Sequence, residues 1–202
     1  TNAAKGYVAV KGKGNFRHDM ADDYKANRSK TEMDPRVKVA LNNLYEYCWA
    51  TECVQSHGCE ADDVVSIWAT EAEEAGDSFV IAHVDKDIDM VPGWHYNFNK
   101  KTLYHIDEEQ GHYLLCKQLL TGDSSDNIQG LKGIGPKTAE KLLANVRMED
   151  MLDVVRKTWR DKHPQDWQEK LQLCFNLIYM RRSFDGFQPL TIEEVYGESR
   201  LR

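Results

Sequence analysis

Apolar residues along the chain fall into short runs and helical stripes, and each predicts an element. Tyr7 to Val10 is β-prone and leads into Lys11-Gly12-Lys13-Gly14, whose glycines predict a flexible segment. From Pro35 to Trp49, the positions Val37, Leu41, Leu44 and Tyr45 recur at helical spacing. A second helix is predicted to open at Gly58-Cys59-Glu60-Ala61-Asp62-Asp63 and to continue through Val64, Val65, Ile67, Trp68 and Ala69. Acidic residues in its first turn suit the helix dipole. Gly76-Asp77 ends it, and the apolar run from Ser78 to Val84 predicts a strand buried in a parallel sheet. That strand leads straight into Asp85-Lys86-Asp87. From about residue 113 onward helices dominate: His112 to Leu120, Pro136 to Asn145 with proline at the first helical position, Met148 to Thr158, and an amphipathic Trp167 to Met180. The chain carries no internal repeat and no low-complexity stretch.

Composition narrows the class. A chain of 202 residues with 41% hydrophobic content can bury a core and is globular. No apolar run reaches the roughly 20 residues that span a bilayer, so a membrane protein is excluded and a cytoplasmic one expected. Five cysteines with no C-x-x-C pair support neither a disulfide framework nor a cysteine-built zinc site, and reduced thiols are expected. The net charge of −7 is unusual for a nucleic-acid binder, but its distribution is uneven. Residues 1–30 carry seven lysines and arginines against three aspartates. Local basic surface beside an acidic cluster suits a protein that grips phosphates and recruits cations to them.

The candidate chemistry lies in three acidic groups: Glu60, Asp62 and Asp63; Asp85 and Asp87; Asp123 and Asp126. In open α/β sheets, sites form at the carboxyl ends of the strands, and the first two groups are predicted to converge there. Seven carboxylates in one place repel one another unless cations sit among them. Hard oxygen ligands with few His or Cys residues favour Mg²⁺, or Mn²⁺ in its place. Two such ions roughly 4 Å apart suit phosphodiester hydrolysis. Shortly after Asp126 comes Gly130-Leu131-Lys132-Gly133-Ile134-Gly135-Pro136-Lys137-Thr138, a glycine-punctuated turn opening a helix. Glycines allow close backbone approach, helix-start N–H groups point outward, and lysine adds charge, which together suit a phosphate. His57, His83, His95 and His112 receive no role, since packing accounts for each.

The ordered set Phe16-Arg17, Tyr24-Lys25-Ala26-Asn27-Arg28, Glu60-Ala61-Asp62-Asp63, Asp85-Lys86-Asp87, and Gly122-Asp123-x-x-Asp126-Asn127-Ile128 through Gly133-Ile134-Gly135-Pro136-Lys137 resembles the 5′→3′ exonuclease/flap endonuclease family. The resemblance is to bacteriophage flap endonucleases and to the 5′-nuclease domain of bacterial DNA polymerase I, over about residues 8–180. It implies an α/β fold: a parallel-sheet, PIN-like nuclease core with an arch segment over residues 1–112. A mostly helical DNA-binding region over 113–202 would contain a helix–hairpin–helix, or helix–three-turn–helix. It implies that Glu60, Asp62 and Asp63 serve one metal, and that Asp85, Asp87, Asp123 and Asp126 mainly serve a second. Lys25 and Arg28 would contact the scissile phosphate from the base of a helical arch, and Tyr24 would stack on a base near the cut. Arg17, Lys132, Gly133, Gly135, Lys137 and Thr138 would bind DNA, with K⁺ held by backbone carbonyls of the hairpin. The implied partner is branched duplex DNA with a 5′ flap or 5′ end, alongside a replicative polymerase, and the implied state is a monomer, in the host cytoplasm if the gene is a phage's.

Two departures accompany the resemblance. One family aspartate, on the first strand, would lie upstream of Thr1. A second has Val10 or Lys11 in its place. Both belong to the same metal. The expected activity is therefore a metal-dependent 5′ nuclease, with a junction-binding protein of impaired hydrolysis as the alternative. A third reading, a PIN-like ribonuclease, leaves the Gly130–Lys137 segment unexplained.

Overall fold

The computed structural model describes residues 5–28, 34–49 and 53–197, apart from the side chains of Tyr45, Cys48, Trp49 and Cys53. The expected contribution of Tyr45 to a helical stripe, and of Lys30 to the basic start, falls outside this set.

Strand β1 (Val8–Lys13) pairs in parallel with β2 (Cys53–His57), and the two enclose a short helix α1 (Phe16–Met20) and a longer α2 (Pro35–Trp49). β1 runs through the segment expected to be flexible, for a local reason. The Gly12 N–H donates to Ser56 Oγ at 3.0 Å. A Cβ at Gly12 would lie 1.5 Å from the Ser56 carbonyl oxygen, so glycine here permits strand contact. Helix α3 (Ala61–Glu74) follows, then β3 (Val80–His83), a 3₁₀ turn over Asp87–Met90, and the hairpin β4 (Gly93–Asn97) and β5 (Thr102–Ile106). β3 pairs in parallel with β4, and β4 in antiparallel with β5. α3 lies beneath both strand groups. Its Val64 packs with Phe16 and Cys59 on the β1 side, and its Ala69 with Ile81 and Val91 on the β3 side.

β3 departs from the fully buried strand expected. Ile81 and His83 point inward, whereas Val80 and Val84 are exposed. Alternation of this kind belongs to a sheet with one covered face.

The remainder is helical. α4 (Glu108–Thr121) is capped by Asp107, whose carboxylate accepts from the Gln110 N–H at 2.8 Å while the Gln110 side chain accepts from the Asp107 N–H. The short antiparallel pair β6 (Gly122–Asp123) and β7 (Ile128–Gln129) leads to α5 (Pro136–Leu143), α6 (Met148–Lys162), α7 (Trp167–Ile178) and α8 (Ile192–Tyr196). Leu119, Leu120, Val155, Trp159 and Phe175 form the heart of the main core. The Trp159 indole N–H is satisfied by the Leu119 carbonyl at 2.9 Å. Among the described residues, no helix is long and apolar enough to cross a membrane.

Candidate active site

The expected carboxylates meet. Glu60, Asp62, Asp63, Asp85, Asp87, Asp123 and Asp126 all line one cavity of about 610 Å³. Three segments deliver them: the start of α3, the loop and 3₁₀ turn after β3, and the β6–β7 hairpin. Their environments then separate them by role.

Asp63 is fully buried and held entirely by protein donors. The Arg17 guanidinium donates to both its oxygens, at 2.7 and 2.9 Å, and the Arg181 and Glu60 backbone N–H groups donate at 3.1 and 3.0 Å. Burial works against its charge, but Arg17 outweighs burial and holds the carboxyl below its ordinary range. Arg17 also donates to the carbonyls of Leu177 and Tyr179, both at 2.9 Å, tying α1 to the end of α7. With 3% exposure it cannot touch DNA, which corrects the role expected of it. The Phe16-Arg17 signal marks an internal clamp that fixes the start of α3.

Asp62 and Asp87 are the opposite case. Burial and the neighbouring Asp85 and Glu60 carboxylates push Asp62 up to about 6. Burial, Asp123 and Asp85 push Asp87 up to about 6 as well. Lys86 reaches Asp87 only at 4.0 Å, with its own side chain 80% exposed. Asp123 is settled differently: burial opposes its charge, but the Ser125 hydroxyl and N–H, at 2.6 and 2.8 Å, hold it below the ordinary range. Gln118 of α4 donates to Asp87 at 2.8 Å, and its own buried Oε1 has no donor among the described groups.

The basic residues close over one side. Residues 22–28 fold onto the β6–β7 turn, with the Lys25 N–H on the Asp126 carbonyl at 2.8 Å and Asn127 Nδ2 on the Asp23 carbonyl at 2.8 Å. Lys25 adopts φ +58°, which turns its ammonium inward to bridge Glu60 and Asp126. Arg28 pairs with the other carboxylate oxygen of Asp126, Oδ1, while staying largely exposed. Tyr24 is 3% exposed, and its hydroxyl donates within reach of Glu60 and Asp126, 3.2 Å from each. A ring packed in the core cannot stack on a base, so the structure corrects that expected role as well. Val10 is buried, while Lys11 is exposed on the cavity wall.

The donor set suits divalent cations. It is built of oxygen, carries excess negative charge, and includes an unpartnered buried amide oxygen beside the carboxylates that resist ionisation. Ser125 and Gln118 were absent from the sequence expectations. The first had a readable signal, since Asp-x-Ser favours a local turn bond. The second had none, being one glutamine on a polar helical face.

The glycine segment forms a surface loop. Leu131 is buried and anchors it, whereas Lys132, Gly133, Gly135, Lys137 and Thr138 are exposed. Gly133 (φ +84°) and Gly135 have open space where a Cβ would sit.

Residues 2–110 match the family model described as "5′-3′ exonuclease, N-terminal resolvase-like domain", and residues 112–186 the one described as "5′-3′ exonuclease, C-terminal SAM fold". The chain belongs to the 5′–3′ exonuclease family. Flap endonuclease Xni of Salmonella paratyphi C is 30% identical over 189 residues, covering 86% of this chain and 71% of that protein. DNA polymerase I of Rhizobium leguminosarum is 34% identical over 137 residues, 63% of this chain, and this exonuclease-family chain spans only 14% of the polymerase's length. Solved structures share the fold at low identity. The bacteriophage T5 flap endonuclease, in a pseudo-enzyme–product complex with DNA and metal ions, gives a TM-score of 0.66 at 20% identity, covering 87% of this chain and 74% of that one. The T5 5′-exonuclease with bound zinc gives 0.62 at 21% identity, covering 87% and 72%.

Proposed function

We propose that this chain hydrolyses DNA phosphodiesters at 5′ flaps and 5′ ends, leaving a 5′-phosphate on the product. The observation that carries this reading is the single cavity on which seven carboxylates converge beneath Lys25 and Arg28. Asp62, Asp85, Asp87 and Asp123, with Glu60 and Asp126 at the rim, would hold two Mg²⁺ ions, or Mn²⁺ in their place. Asp63 would act by fixing the start of α3. When bound, such ions supply Lewis acidity and neutralise charge developing on the phosphate.

The chain's own residues supply position. Lys25 and Arg28 would exchange their carboxylate partners for the scissile phosphate, placing it over the acidic cavity. Ser125 would keep Asp123 ionised, and Gln118 would orient Asp87. The exposed Lys132, Lys137 and Thr138 would grip duplex phosphates around Gly133 and Gly135, with K⁺ at the carbonyls of that turn. Backbone grip reads no sequence, so selectivity would come from the shape of the junction. The working division is a nuclease core over 1–112 and a DNA-binding region over 113–202. The setting is a monomer in the cytoplasm that removes displaced strands beside a replicative polymerase.

A second reading, a junction binder with weakened hydrolysis, rests on the apolar Val10 and the cationic Lys11 where the resemblance implies an aspartate. Labelled 5′-flap, 3′-flap and single-stranded substrates in Mg²⁺ test both. The nuclease reading expects cutting at the 5′-flap junction and from 5′ ends, with the 3′ flap left uncut. Retention of that junction without cutting would establish the binder, and preferential cutting of single-stranded RNA would overturn both.

A further inference from the structure

A second cluster of ligand-type side chains lies beside the carboxylate cavity and belongs to none of the roles above. His83 at the end of β3, His95 in β4 and Asp89 in the 3₁₀ turn bring His83 Nε2, His95 Nδ1 and Asp89 Oδ1 within 4.8 Å of one another. The separations are 2.9 Å between the two nitrogens, and 3.6 and 3.7 Å from Asp89 Oδ1 to His83 and His95.

The proton positions follow from the partners. His83 Nδ1 faces the Asp85 carbonyl at 2.7 Å, and His95 Nε2 faces the Val91 carbonyl at 2.7 Å. A carbonyl only accepts, so those two nitrogens carry the N–H groups. Neutral imidazole has one N–H, which leaves His83 Nε2 and His95 Nδ1 as bare lone pairs facing each other. The neighbouring donor is the Tyr104 hydroxyl, 2.7 Å from Asp89 Oδ1 and 3.2 Å from His83 Nε2. One proton cannot satisfy three acceptors, so the cluster lacks positive charge or a donor at its centre.

We propose that His83, His95 and Asp89 form a binding site for a transition-metal cation of the Zn²⁺ type, braced by Tyr104. Three features select this occupant. Edges of 2.9, 3.6 and 3.7 Å bracket the edge of about 3.4 Å of a tetrahedron with metal–ligand bonds near 2.1 Å. Two imidazoles favour zinc over magnesium. Each imidazole already donates its other N–H to a backbone carbonyl, the outer-shell arrangement that orients metal-bound histidines. A shared proton is the rival occupant, but His95 is fully buried, and burial works against an imidazolium there. Asp89 is partly exposed, which gives an entry path and a place for a water as fourth ligand. The site would pin β3, β4 and the turn together. Through the His83–Asp85 bond it would also hold the loop that presents Asp85 and Asp87. It stands independently of the proposed nuclease activity.

Titration of the metal-stripped full chain with Co²⁺, in excess Mg²⁺ to occupy the carboxylate cavity, tests the site. The expected result is one equivalent of Co²⁺ with the intense visible band of four-coordinate cobalt, displaced by Zn²⁺. His95→Gln abolishes the band. Asp89→Asn, at a partly exposed position less able to disturb folding, weakens Co²⁺ binding at least about tenfold while circular dichroism stays unchanged. Asp123→Asn, in the carboxylate cavity, leaves the band intact. Absence of Mg²⁺-resistant binding overturns the proposal and leaves the proton as occupant. A band that survives His95→Gln, or that is lost in Asp123→Asn, overturns it too.

Discussion

Asp63 and Asp62 are neighbours in sequence and opposites in chemistry. The Glu60-Ala61-Asp62-Asp63 motif showed that carboxylates gather at the start of a helix, but not which of them stays free. That depends on Arg17, which comes from 46 residues away and consumes the acceptors of Asp63. Replacing Arg17 with Met leaves a buried carboxylate without its partner and is expected to cost about 3–5 kcal/mol in urea denaturation. The pH response divides along the same line. Asp62 and Asp87 hold protons more tightly folded than unfolded, so metal-free stability falls as pH rises from about 4 through about 6, then levels off. Asp63 and Asp123 are shifted the other way, and their contribution is lost only as pH falls below the ordinary carboxylate range. Calorimetry of the metal-free chain should therefore show the melting temperature dropping by about 5 °C across the first window. Mg²⁺ should remove most of that drop at pH 7 and have little effect at pH 4.5.

At the scale of elements, strong periodicity was legible, and of the paired strands β1 and β3 were legible while β2, β4 and β5 were not. α3 and the helices after residue 112 were marked by helical spacing, caps and proline, all local signals. The hairpin β4–β5 escaped because its residues mix aromatic, basic and amide types, and its stability comes from cross-strand pairs such as Trp94–His105 and Tyr96–Leu103. The His83–His95–Asp89 cluster escaped for a related reason, since the β3–β4 pairing and the 3₁₀ turn between those strands bring its members together. The turn before α5 was legible as glycine punctuation, but its two kinds of glycine were not distinguishable. Gly122 sits at φ +68°, and a Cβ there would lie 2.3 Å from both Gly130 N and Ile128 O. Gly122→Ala is expected to destabilise by about 2–3 kcal/mol, whereas Gly133→Ala, with open space around it, costs about 1 kcal/mol for its positive φ alone. Lys132→Ala and Lys137→Ala should leave stability unchanged. Each should weaken binding to flapped and plain duplex alike, and reduce the slope of log affinity against log salt by about 1 in a fluorescence titration.

For the whole molecule, the net charge of −7 misleads and the arrangement informs. Seven carboxylates share one cavity, and Lys25 and Arg28 close over its rim. The order of motifs along the chain was sufficient to indicate the family, and the fold carries the acidic motifs and Lys25 and Arg28 to one cavity while the glycine segment stays a surface loop. The roles of Arg17 and Tyr24 were not legible, because burial is decided by what packs around a residue and both are enclosed by α7 and the core. Under the proposed function, this cavity binds divalent cations and hydrolysis of a 5′ flap depends on it. The most direct test is a labelled 5′-flap duplex incubated with the wild-type chain and with the Asp62→Asn/Asp87→Asn double variant, in Mg²⁺ and in EDTA, scoring cleavage and gel shift together. Mg²⁺-dependent cutting by the wild type is expected, none in EDTA, and a loss of at least about 100-fold in the double variant with the DNA still bound. Tight binding without cutting by the wild type in Mg²⁺, or equal cutting by the double variant, would contradict the proposed function.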